Sequence, residues 1–69
     1  MDTVTFLKTN MRRDITSQGI SEVNAQKGID YAMLSWGKLG STKNAYRDMV
    51  NLAGGRAASL QGQKWKLIK

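Results

Sequence analysis

The sequence has no cysteine, no histidine and no proline. Without cysteine there can be neither a disulfide nor a thiolate zinc site. Without histidine the commonest metal ligand and the commonest general base are missing as well. The lack of proline leaves glycine to supply the breaks in the chain. Acidic residues are scarce: Asp2, Asp14, Glu22, Asp30 and Asp48 stand far apart, with no paired spacing that would drive two carboxyl pKa values in opposite directions. Any nucleophile and its base would have to be built from Ser, Lys, Tyr or these scattered carboxylates. The chain is therefore expected not to be an enzyme, and to need no cofactor or metal. No run approaches the ~20 apolar residues of a membrane span, and Arg12, Arg13 and Asp14 interrupt the first candidate segment. No apolar run follows a basic start, so no signal peptide is expected. These absences suit a cytoplasmic protein that needs no oxidising compartment.

What is present is a 69-residue chain of net charge +6. That length makes one small domain, in which only about 60% of the unfolded surface can be buried. Tight packing or oligomerisation, with a homodimer as the simplest form, must supply the stability that disulfides or metal would otherwise give. The charge is segregated. In residues 1–35, Lys8, Arg12, Arg13 and Lys27 balance Asp2, Asp14, Glu22 and Asp30. In residues 36–69, Lys38, Lys43, Arg47, Arg56, Lys64, Lys66 and Lys69 face Asp48 alone. A one-sided positive field favours a polyanion or an acidic partner, whereas scattered surface lysine would serve only solubility.

The apolar pattern predicts a mainly α fold: a three-helix small domain with a basic C-terminal β-hairpin or a short fourth helix. Asp2 or Thr3 can cap a first helix over residues 3–18, with Val4, Leu7, Met11 and Ile15 as its apolar stripe and Phe6 flanking and widening it. Gly19 suits its C-terminal stop, and Ile20 the hydrophobic contact that follows one. Ser21 is the next N-cap, with Glu22 in the first turn. Ile29, Ala32, Met33 and Trp36 continue at helical spacing, and Gly28 is either tolerated within this helix or divides it. Ser41 or Thr42 can cap a third helix whose inner face is Ala45, Tyr46, Met49, Val50 and Ala53, with Gly54-Gly55 as its stop. Lys64-Trp65-Lys66-Leu67 then alternates as a strand does, and Gly62-Gln63 fits a type II′ hairpin turn. The competing reading is a helix from Arg56 through Leu60 that frays at Gly62.

Two segments resemble parts of small helix-turn-helix DNA-binding regulators of phage or plasmid type. In "SEVNAQKGIDYAMLSW" (residues 21–36), a short helix, a turn at Gly28-Ile29 and a second helix with Leu34 inward would match the motif, although Asn24 stands where alanine is usual. In "STKNAYRDMVNLAGGRAASL" (residues 41–60), the string "LAGGRAASL" is similar to the helix-AGG-helix corner of Cro-type regulators. With a hairpin after it, the same region resembles a winged helix, which implies that helix 42–53 enters the major groove and the Gly62 hairpin lies on the backbone.

Beside that resemblance, the residues themselves nominate a site. Lys43, Asn44, Arg47 and Asn51 lie opposite the apolar face of the third helix, and Arg and Asn can bond bidentately to base edges. Lys38, Arg56, Lys64 and Lys66 suit phosphate contacts. Duplex DNA is the leading expected partner, and an acidic protein surface bound by a small inhibitor, adaptor or assembly factor is the alternative. Binding of helix one to a membrane surface is disfavoured by Asp14 on its polar face. Trp36 and Trp65 could stack on unpaired bases, but in so small a core both are expected to anchor the fold.

Overall fold

The computed structural model describes residues 2–40 and 43–69. Four helices follow in order: α1 (Thr3–Thr16), α2 (Glu22–Met33), α3 (Trp36–Leu39) and α4 (Ala45–Gln61). Residues 63–69 return along α4 without regular secondary structure, and no strand occurs among the described residues.

The first helix forms as its sequence dictates. The Asp2 carboxylate accepts a bond from the Thr5 N–H at 2.7 Å, and that bond holds its carboxyl below the usual range. Leu7, Met11 and Ile15 are buried, whereas Val4, in the first turn, is only half-buried and Phe6 is exposed and does not widen the stripe. The helix ends at Thr16, two residues earlier than the spacing predicts, and the chain turns through Gly19 at φ 86° into buried Ile20. Ser21 caps α2 by accepting from the Asn24 N–H.

Gly28 neither ends nor divides α2. A Cβ at this position would stand 2.2 Å from the Ala53 carbonyl oxygen and 2.9 Å from the Ala57 Cβ. Gly28 is thus where α2 crosses α4 with almost nothing between the two backbones, and Ala25, Ile29 and Ala32 pack around that crossing. The turn expected at Gly28-Ile29 is absent. Leu34, expected inward on a second helix, is 83% exposed. Trp36 belongs to α3 and is only partly buried against the core.

The expected stop at Gly54-Gly55 is also absent. The helical reading of the segment from Arg56 holds: one uninterrupted helix runs to Gln61 and joins that segment to the predicted third helix. The core therefore runs along α4 as Met49, Val50, Ala53, Ala57 and Ala58. The caps proposed at Ser41 or Thr42 lie outside the described residues; the N-cap of α4 is Asn44, which makes no side-chain capping bond.

The β-hairpin reading is overturned by Gly62. At φ 70° it is the left-handed residue that closes α4, with Gly62 N–H donating to Ser59 O and Gln63 N–H to Ala58 O. This pair of bonds is a Schellman closure, in which glycine avoids the Cβ penalty. Because Gly62 ends a helix, it cannot turn a hairpin.

Candidate functional site

The basic C-terminal segment is docked on the helices by side-chain amides. Trp65 lies flat over α4 at Gly54, where a Cβ would come within 2.3 Å of the indole ring. Its Nε1–H donates to Asn51 Oδ1 at 3.0 Å. The same oxygen accepts the Ile68 N–H at 2.8 Å, and Asn51 Nδ2 donates to the Ile68 carbonyl at 2.9 Å. Gln18, just beyond α1, repeats this arrangement on Lys66. Its Oε1 accepts the Lys66 N–H at 3.0 Å and its Nε2 donates to the Lys66 carbonyl at 2.8 Å. Two amide side chains thereby satisfy backbone groups that a neighbouring strand would otherwise satisfy.

The helix ends are stitched in the same way. Gln63 Nε2 donates to Gln18 O, and Gln61 bridges Gly19 O and the Ser21 N–H. Among the described residues no buried side-chain polar atom lacks a partner.

Docking fixes which side chains face water. Trp65 and Ile68 pack against the core, while Lys64, Lys66 and Lys69 are exposed. Leu67, between two of these lysines, is 66% exposed. The segment runs antiparallel to α4, passing Gly54 and then Asn51, and the next turn in that direction carries exposed Arg47. Arg47 contacts neighbouring Asp48 at 3.4 Å, a long and solvent-screened pairing. Lys43 is exposed immediately before α4, as is Asn44. Lys64, Lys66 and Lys69 thus lie on a segment that runs along α4 toward the end of the helix that carries Arg47 and follows Lys43.

Asn51 and Arg56 do not join them. Asn51 spends its oxygen twice and its amide once on the chain's own C-terminal segment. Arg56 follows Arg47 by nine positions, about two and a half turns at ~3.6 residues per turn, and so projects from the opposite side of α4. There its guanidinium stacks on the Tyr31 ring, 5.0 Å from the centroid. Lys38 is exposed on α3. The two tryptophans pack against the core, as expected of anchors.

Two residues of this region gave no signal as site residues in the sequence. Gln18 reads as an ordinary polar residue after a helix, and its partner is 48 positions away. Lys69 contributes to the charge count, but it follows Ile68, whose place on α4 depends on the Asn51 clamp. Nearby, the Tyr46 hydroxyl donates to Asp14, joining α1 to α4. Burial and the adjacent carboxylate push the Tyr46 phenol above its ordinary value.

No cluster of potential metal ligands and no enclosed pocket is found among the described residues. No helix among them is long and apolar enough to cross a membrane. Comparison with protein-family models, curated proteins and solved structures finds no match for this chain.

Proposed function

We propose that this protein is a non-enzymatic nucleic-acid-binding protein that holds duplex DNA by its phosphates. The contacts would come from Lys64, Lys66 and Lys69 on the docked C-terminal segment, with Arg47 and Lys43 beside them. The observation that carries this reading is the anchoring of the segment. Gln18 and Asn51 grip the backbone at Lys66 and Ile68, so the lysines project from a fixed line instead of a loose tail. Cations held in place lose less freedom on binding than cations on a free chain.

The same geometry argues for contact with the backbone over contact with bases. Asn51 is the residue best suited to adenine, and its amide is occupied by Ile68 and Trp65. Arg56 is stacked on Tyr31 at the far side of α4. With those two groups engaged elsewhere, the remaining side chains are mostly lysines, which bind phosphate as point charges and carry little sequence information.

The test is a salt titration with a short duplex of mixed sequence. Binding is expected at low salt, with the logarithm of affinity falling linearly against the logarithm of salt concentration at ~0.9 per phosphate neutralised. Two unrelated duplex sequences are expected to give similar affinities. Absence of duplex binding at low salt would refute the proposal. An acidic protein surface is a second reading, favoured by Leu67, whose exposed apolar side chain between Lys66 and Lys69 has no role in phosphate contact. Substitution of Leu67 by Ser separates the two, since DNA affinity is expected to be unchanged.

A further inference from the structure

The outward face of α2 carries Val23, Lys27, Asp30 and Leu34, directly opposite the Ala25, Gly28, Ile29 and Ala32 face that enters the core. All four are exposed, and Val23 and Leu34 keep 65% and 83% of their surface in water. Their separations of four, three and four residues are those of a coiled-coil seam. The order apolar, cation, anion, apolar is also self-complementary when read backwards. In an antiparallel pair centred between Gly28 and Ile29, Val23 meets Leu34 of the partner subunit, and Lys27 meets Asp30 of the partner subunit.

We propose that this face joins two copies of the chain through antiparallel pairing of their α2 helices. Apolar contacts lie at the two ends of the seam, and two symmetry-related Lys27–Asp30 ion pairs lie at its centre. Such a two-fold contact is self-limiting and closes as a dimer. Charge decides that the occupant is a second copy. Each chain carries +6 overall, which opposes association in general. On the seam itself, however, Lys27 and Asp30 cancel, with Arg12 at one flank, bonded to Gln26, and Arg56 at the other, on Tyr31, so the strips that meet carry no net charge. The ion pairs alone contribute little at an exposed site, but they fix register and direction. Tyr31, next to Asp30 on α2 and 45% exposed, flanks the seam and extends its apolar area. The seam shares no residue with the basic edge, and the two proposals stand or fall separately.

The test uses the full chain in sedimentation equilibrium. The unaltered protein is expected to dimerise with concentration. Lys27→Asp and Asp30→Lys each set like charges against each other twice, and each is expected to weaken self-association roughly tenfold. Mixed together they restore opposite charges at both positions, so the heterodimer is expected to recover the original affinity. Because the chain has no cysteine, register can be read by oxidation. Val23→Cys mixed with Leu34→Cys is expected to give a disulfide-linked pair, whereas either variant alone stays unlinked. A protein that remains monomeric at about millimolar concentration, or a dimer indifferent to both charge variants, would overturn the proposal. A helix-bearing partner of another kind on this face would leave the protein monomeric alone, and so counts against it.

Discussion

Two joints made by α4 rest on glycine and differ in everything else. At Gly28, α2 and α4 approach until backbone meets backbone, amid apolar side chains. At Gly54, an extended segment lies across α4, held by one indole ring and the amides of Asn51 and Gln18. The first joint buries the centre of the core, so its loss should unfold the protein. The second is made at the surface by few groups, so its loss should free residues 63–69 and leave the helices standing. Global stability and the docking of the lysine-bearing segment are thus carried by separate devices within one small domain.

Substitution at Gly28 should produce the largest effect. Alanine in an ordinary helix interior would gain ~1 kcal/mol over glycine, but here its Cβ would meet the Ala53 carbonyl, which cannot swing aside. Gly28→Ala is expected to be destabilising by about 1–3 kcal/mol in urea unfolding, and Gly28→Leu to prevent cooperative folding. A stabilised Gly28→Ala variant would show that the crossing is looser than the geometry indicates.

Gly54→Ala should split the two joints. Its Cβ would displace the Trp65 ring, which is held from the surface by Asn51 and not by the core backbone, while α4 gains helix propensity. Helix content and cooperative unfolding are expected to persist. Fast hydrogen exchange is expected at the Trp65 indole and at the Lys66 and Ile68 amides. Loss of the whole fold would merge the two joints into one.

Asn51→Ala removes the acceptor of two N–H donors and should cost about 1–2 kcal/mol, confined to protection of the same segment. The smallest effect concerns pH. The Tyr46 phenol holds its proton more tightly in the folded state than in the unfolded one, so its contribution is complete below the unfolded pKa of ~10. As pH rises above that value the unfolded chain releases the proton first, and stability falls. Tyr46→Phe is expected to flatten this alkaline decline, measured as urea midpoint against pH.

The two glycines also mark the limit of what the sequence discloses. The α1 cap, its Leu7-Met11-Ile15 stripe and the turn at Gly19 depend on neighbours a few residues away, and all were legible. So was the segregation of charge, which is a property of composition. Gly54-Gly55 reads as a stop because glycine is a poor helix former, yet the helix continues since Gly54 makes room for Trp65, eleven residues later. Lys64 to Leu67 alternates like a strand, but the groups that satisfy its backbone belong to Gln18 and Asn51, which no local pattern connects to it. Likewise, Arg47 and Arg56 look like one basic set until the length of α4 puts them on opposite sides. Each misreading concerns a residue whose role is set by a distant contact.

The central claim is that the position of the C-terminal lysines, more than the net charge, makes the binding edge. The direct measurement compares the salt dependence of duplex binding for two doubly substituted proteins of equal net charge. One carries Lys64→Ser and Lys66→Ser; the other carries Lys8→Ser and Arg12→Ser on the α1 side. The account predicts that the first lowers the magnitude of the slope by about 1.8, at ~0.9 per lost phosphate contact, and that the second leaves it nearly unchanged. Equal losses from the two proteins would contradict it.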